Sequence, residues 1–135
     1  MADVHDIKTR SYNMSQIKGS NTKPEILVRK FLFSNGLRYK LHDKNLSGKP
    51  DIVLPKFESV VFVHGCFWHG HKNCRKFVVP KTRTTFWLNK INTNKVNDKK
   101  HTTALRKDGW KVITVWECEL KKETTLLKIL RQIKN

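Results

Sequence analysis

Acidic residues are scarce in this chain. Only 11 Asp and Glu stand against 28 Lys and Arg, giving a formal charge of +17. That imbalance points to a polyanionic partner, with nucleic acid the first candidate. The bland alternatives are a generally basic soluble protein or one that meets anionic lipid. The basic residues run from Lys8 to Lys134, so the charge is not confined to one tail. Long apolar runs are missing as well. None approaches the roughly 20 residues a spanning helix needs, which argues against membrane insertion. Met1–Asp6 lacks a basic region leading into an apolar stretch, so no signal peptide is visible and a reducing, cytoplasmic setting is expected. There are three cysteines, an odd number, and nothing marks secretion, which leaves little room for a disulfide framework. Repeats, low-complexity blocks and linkers are absent. A chain of 135 residues then reads as one domain, 1–135, in which residues 1–20 form an amino-terminal arm and helix.

What the chain does hold is concentrated between Val60 and Cys74. An apolar, β-branched run, Val60-Val61-Phe62-Val63, reads as a buried strand, and Gly65 breaks it. Two cysteines, two histidines and two large aromatics follow. Three of the chain's six histidines lie between His64 and His71. Cys66, His71 and Cys74 have the residue types and spacing of ligands to a tetrahedral zinc ion. A fourth ligand must come from elsewhere. Cys118, just after the apolar run Val112–Trp116, can supply it if two strand ends lie side by side. Core packing of the cysteines is the competing reading. A further alternative makes His69 the fourth ligand and leaves Cys118 in the core.

The rest of the chain supplies elements around this stretch. Ser11 can cap a short helix carrying Met14 and Ile17, stopped by Gly19. Thr22 and Glu25 form a capping-box pattern with Pro24 in the first turn. The helix they open has Ile26, Leu27 and Phe31 as its expected apolar side and ends at Asn35-Gly36. Leu37–Leu41 alternates as a half-exposed strand would. Gly48 and Pro50 make a turn before a short strand beginning at Asp51, and Ser59–His64 is the next strand. Thr84–Lys90 and Asn94–Lys107 read as two helices, Lys111–Trp116 as a strand, and Thr124–Ile133 as an amphipathic helix. The order predicts an α/β domain: a mixed sheet with helices on both faces.

Asp51 is the carboxylate of interest. At a strand start, with His64 delivered beside it by a hairpin, it can take part in a Mg²⁺ site suited to phosphodiester chemistry. Taken alone it can equally cap a turn. Glu25 has a bland role in its capping box, and Asp98 one as a helix-face charge among lysines. His69, held next to a structural metal, can transfer a proton near neutral pH. Phe67 and Trp68 are core anchors or, in so basic a chain, groups that stack on or wedge between bases. Trp87 is a similar candidate.

Several of these segments occur together in a known family. Val4-His5-Asp6, Asn13-Met14, Gly48-Lys49-Pro50-Asp51, His64-Gly65-Cys66-Phe67-Trp68-His69-Gly70-His71 with Cys74, Thr82-Arg83-Thr84 with Phe86-Trp87, and Val115-Trp116-Glu117-Cys118 follow that order over roughly residues 3–120. In this the chain resembles the very-short-patch repair (Vsr) endonucleases. The resemblance implies a restriction-endonuclease-like α/β fold, a mixed central sheet flanked by helices, with a structural zinc site. It implies a monomeric, Mg²⁺-dependent nickase that cuts double-stranded DNA 5′ of the thymine in a T·G mismatch, the product of 5-methylcytosine deamination. A functional link to a cytosine-5 DNA methyltransferase and to mismatch-repair proteins comes with it, and so does a place of work on the nucleoid of a bacterial cytoplasm.

By the same resemblance, Asp51 and the main-chain carbonyl of Val63 bind Mg²⁺. Glu25, His64 and Asp98 hold metal-bound waters, and His69 transfers the proton. Cys66, His71, Cys74 and Cys118 hold zinc. Phe67, Trp68 and Trp87 enter the mismatch from the major groove, Met14 and Ile17 approach from the minor groove, and Lys90 counts among the DNA contacts. The chain departs from the family pattern in two places. Val63 stands where the best-known members have threonine, and the His71–Cys74 interval is one residue longer. A restriction-type nuclease of relaxed specificity and a catalytically silent zinc-containing DNA-binding module are the competing readings.

Overall fold

A computed structural model of the chain describes residues 22–71, 74 and 78–135. The expected amino-terminal helix, with Met14 and Ile17, lies outside the described residues. The first described element is helix α1, Lys23–Ser34. It starts as its sequence dictates: the Thr22 hydroxyl accepts the Glu25 N–H at 3.4 Å, and proline occupies the first turn. Its buried stripe is not the expected Ile26, Leu27 and Phe31. Val28 and Leu32 are fully buried, Leu27 is exposed, and Glu25 lies on the buried side with them. The spacing 25, 28, 32 is helical, so a carboxylate is placed on the inward face.

Four strands follow: β1 Lys40–Leu41, β2 Ile52–Leu54, β3 Ser59–His64 and β4 Lys111–Trp116. They form one sheet in the order β1-β2-β3-β4. The first two pairings are antiparallel and β3–β4 is parallel, in register from Ser59↔Lys111 to His64↔Trp116. A parallel pair needs a long crossover, and helix α2, Thr84–Lys107, supplies it. Helix α3, Glu123–Lys134, closes the chain. The expected strand over Leu37–Leu41 shrinks to two residues because its first half is engaged elsewhere. The Leu37 N–H bonds back to Leu32 O, and the Tyr39 hydroxyl donates to Arg29 O, both in α1.

The sheet is covered on both faces, and strand alternation decides which residue goes where. Ile52, Leu54, Val61, Ile113 and Val115 pack against Val28 and Leu32 of α1 and Ile129 and Ile133 of α3. Val53, Val60 and Phe62 face the other way, against Leu105 of α2.

The two helices expected over 84–90 and 94–107 are one continuous helix of 24 residues. The gap between them, Ile91-Asn92-Thr93, holds no residue that lacks an N–H or demands positive φ. Each of these residues costs only a few tenths of a kcal/mol against better helix formers. Tertiary contacts offset that: Ile91 is buried, and the Asn94 amide donates to Trp68 O at 2.8 Å.

Candidate active site and metal centre

The antiparallel β2–β3 hairpin and the parallel β3–β4 pair bring three strand ends to one end of the sheet. These are the start of β2, the end of β3 and the end of β4. Each contributes to a cluster of possible ligands, and in each cluster one ligand atom per residue lies within 4.8 Å of the others.

The first cluster is Glu25, His42 and Asp51. Asp51 Oδ2 accepts the Val63 N–H at 2.7 Å, so β3 orients the carboxylate. Glu25 accepts Arg29 Nη1 at 2.8 Å and His42 Nε2 at 2.9 Å. Burial pushes the Asp51 carboxyl up to about 7. The Val63 N–H works against that shift, and the neighbouring Glu25 carboxylate adds to it. A buried and a half-buried carboxylate side by side are costly without a cation and favourable with one. Their hard oxygen donors suit a divalent ion such as Mg²⁺.

The second cluster is His64, His69 and Asp98. Asp98 Oδ2 lies 2.6 Å from His69 Nδ1. The His69 ring stacks on His64, with centroids 3.8 Å apart and planes at 4°. His64 is buried, and its Nδ1 is without a hydrogen-bond partner among the described residues. Burial, followed by repulsion from His69, lowers its pKa to about 4, so this ring is neutral near pH 7.

The third cluster is Cys66, His71, Cys74 and Cys118. Parallel pairing delivers it: Cys66 follows β3, Cys118 follows β4, and Cys118 Sγ lies 3.3 Å from His71 Nδ1. The loop between them is tightly wound. The His71 N–H bonds to Cys66 O at 2.8 Å, and the Cys66 N–H donates to Glu117 at 3.1 Å. Trp116 stacks on His71 with centroids 4.1 Å apart. Burial pushes the Cys66 thiol up to about 12 and raises Cys118 as well. Three sulfurs and an imidazole so placed fit a soft, tetrahedral cation that would hold the thiols as thiolates. The arrangement with His69 as fourth ligand is not found, because His69 turns to Asp98 while Cys118 joins the cluster.

Beside these clusters lies an aromatic group outside both hydrophobic cores. Phe67, Trp68 and Trp87 meet edge to face at 5.1–5.9 Å. Phe86 extends the group from Trp87 toward solvent, with the Arg83 guanidinium over its ring at 4.3 Å. The three central rings are half-buried, which fits contact with a partner better than core packing.

The family model for the DNA mismatch endonuclease Vsr matches residues 2–76, more than half of the chain. The chain belongs to the Vsr DNA mismatch endonuclease family. It is 51% identical over 139 residues to the type II nicking enzyme V.NmeAIP of Neisseria meningitidis, covering 100% of this chain and 99% of that one. It is 46% identical over 121 residues to the DNA mismatch endonuclease Vsr of Escherichia coli K12, covering 90% and 77%. The type II nicking enzyme V.XorIIP of Xanthomonas oryzae is 46% identical over 133 residues, covering 98% and 97%.

In this Vsr chain, Asp51 meets Glu25, whereas His64, His69 and Asp98 form a separate group. Val63 enters through its N–H to Asp51. Lys90 sits half-buried on α2, near the aromatic group in sequence. His42 and Glu117 escaped the sequence reading. His42 sits alone between Leu41 and Asp43, so no spacing marks it. Glu117 stands inside the Val115–Cys118 motif with no spacing that marks it as a partner of Cys66. One face of α2 also carried a signal that its polar composition hid: Ile91, Asn94, Asp98, His101 and Leu105 recur at helical spacing. Asn94 and Asp98 hold the His69 loop, while His101 receives Ser47 Oγ at 2.9 Å and packs on Gly48. A Cβ at Gly48, where φ is +76°, would lie 2.7 Å from His101 Cβ. This helix therefore fixes both the turn before Asp51 and the loop that carries His69. Among the described residues, no helix is long and apolar enough to cross a membrane.

Proposed function

We propose that this mismatch endonuclease makes a single-strand cut on the 5′ side of the thymine in a T·G mismatch, using Mg²⁺ held by Asp51. The observation that carries the reading is the placement of the Glu25–Asp51 carboxylate pair and a carboxylate-held histidine at the same end of the sheet, beside an aromatic group. Asp51 and the Val63 carbonyl would hold the ion, and Glu25, His64 and Asp98 would take its waters. A cation held there would supply positive charge to offset the negative charge on the phosphate. Val63 N–H holds the Asp51 carboxylate in one orientation. Asp98 holds His69 at Nδ1, leaving Nε2 to give or take the proton. Cys66, His71, Cys74 and Cys118 would hold a zinc ion, which would stiffen the loop on which His69 and the aromatics stand. The restriction-endonuclease-like fold, a monomeric state and work on the bacterial nucleoid belong to the same proposal. So does a link to a cytosine-5 methyltransferase and mismatch-repair proteins.

Mismatch selection then rests on Phe67, Trp68 and Trp87. A T·G wobble distorts the duplex little, so hydrogen bonding discriminates weakly. A mismatched step costs less to unstack than a paired one, and wedged aromatics test that difference. Met14, Ile17 and Lys90 complete the DNA contacts. The experiment is Asp51→Ala assayed for nicking and for duplex binding. Loss of nicking with binding retained supports the reading, and full nicking by the variant overturns it.

A further inference from the structure

His42 occupies a position for which the two carboxylates alone give no reason. Its backbone is in the left-handed region, φ +48°, which a non-glycine residue adopts only at a cost. Two contacts account for that conformation. The His42 N–H bonds to Asp51 O at 3.2 Å, tying the turn to the start of β2. The ring reaches across to α1, where Nε2 lies 3.0 Å from Oε1 and 2.9 Å from Oε2 of Glu25. Arg29 Nη1 approaches Oε2 as well, at 2.8 Å. Glu25 is 1% exposed, so its carboxylate depends on protein donors in place of water. Arg29 sits on the same helix and moves with Glu25. His42 sits on the turn that leads into Asp51, so its bond to Glu25 ties the α1 carboxylate to the start of β2.

We propose that His42 is a positioning residue that locks the Glu25 carboxylate relative to Asp51, so that the two present a preformed site to the divalent cation. This rests on the reading of Asp51 as the cation's ligand. His42 itself stays outside the coordination sphere, because its Nε2 faces the Glu25 oxygens and donates to them. A site assembled by cross-linking a helix to a strand start binds without first ordering its ligands, and the loss of that order weakens binding.

The test uses Mn²⁺ as a spectroscopic probe on the intact protein, with His42→Ala, His42→Gln and Asp51→Asn. Mn²⁺ affinity is titrated by electron paramagnetic resonance without DNA, and nicking is measured against Mg²⁺ concentration. His42→Ala is expected to weaken Mn²⁺ binding about tenfold, the scale of one lost hydrogen bond to a charged group. It should raise the Mg²⁺ requirement for nicking to match while leaving the rate at saturating Mg²⁺ near that of the wild type. His42→Gln keeps an N–H donor and should recover most of the affinity. Circular dichroism melts confirm that the variants fold. A His42→Ala protein that melts normally and binds Mn²⁺ as the wild type does would overturn the proposal. So would spin-echo modulation from a directly bound imidazole nitrogen that disappears in His42→Ala, since that makes His42 a ligand. If Asp51→Asn also binds Mn²⁺ normally, the Asp51 assignment itself fails, a result distinct from failure of His42 alone.

Discussion

Replacing Asp98 by Asn separates the two carboxylate roles at this site. Asp98 sits on α2, 29 residues from His69 in sequence, with Oδ2 at 2.6 Å from Nδ1. That length is at the short end for a charge-assisted bond. Both side chains keep about a quarter of their surface exposed, 26% for His69 and 28% for Asp98, so the pair is worth little to folding. Its value lies in holding one ring nitrogen so that the other faces the reaction. Asparagine keeps the shape but loses the charge. It can also turn its amide N–H toward Nδ1, which moves the ring proton to Nε2. A positioned proton-transfer group contributes about 10²–10⁴-fold to a rate. Asp98→Asn should therefore slow single-turnover nicking by about that factor, at most a loss of about 5 kcal/mol of transition-state stabilisation. Duplex binding should stay within about threefold, because screened surface charges change affinity little. The melting temperature should hardly move. Rapid-quench nicking of a mismatched duplex at saturating protein is the assay. A variant that nicks at the wild-type rate would show that the Asp98–His69 pair has no part in proton transfer.

Three further outcomes follow from the same geometry. Cys118→Ser should bind less than one zinc per chain and lower the melting temperature by about 5 °C or more, since a structural zinc contributes directly to folding; metal analysis showing no zinc in active wild-type protein would refute the assignment. Trp68→Ala should lose about ten- to a hundredfold of its preference for T·G over matched duplex, from about 1–3 kcal/mol of stacking, while keeping its affinity for matched DNA; a folded variant with undiminished preference would refute the wedge. Asp51 gives a pH signature in the metal-free protein. Its carboxyl is raised from 3.8 to about 7 by burial, so the folded state holds the proton more tightly than the unfolded chain. Its charged form is thus destabilising above about pH 7 and that penalty disappears below about pH 4. Relative to Asp51→Asn, the metal-free wild type should lose stability as pH rises through that window, and Mg²⁺ should restore it; parallel stability curves for the two proteins would contradict this.

Sequence patterns reached furthest where local chemistry decides the outcome. β3 and β4 have the spans their β-branched runs predict, because Gly65 and Asp108-Gly109 bound them; burial on both faces suits the continuous apolar run of β3, and in β4 Ile113 and Val115 are buried while Thr114 is exposed. The convergence of Cys66, His71, Cys74 and Cys118 followed from placing two strand ends together, and parallel pairing does so. What escaped depends on tertiary contact. The buried face of α1 departs from the Ile26, Leu27 and Phe31 side because the capping-box pattern masks the helical spacing that Glu25 shares with Val28 and Leu32. The continuity of α2 through Ile91-Asn92-Thr93 is invisible to propensity, which carries no knowledge of the buried Ile91 or of the loop that Asn94 holds. His42 acts through a left-handed backbone and a partner 17 residues away, and neither leaves a periodic trace.

The central claim is that this chain cuts one strand of DNA at a T·G mismatch with the help of a divalent cation. Purified protein incubated with end-labelled duplexes, each carrying one mismatch or none in otherwise identical sequence, with Mg²⁺ or with chelator, measures it in one gel. The account predicts a single cut on the 5′ side of the mismatched thymine, only on the thymine strand and only with Mg²⁺. Equal cutting of matched duplex, cutting of both strands, or cutting undiminished by the chelator would contradict it.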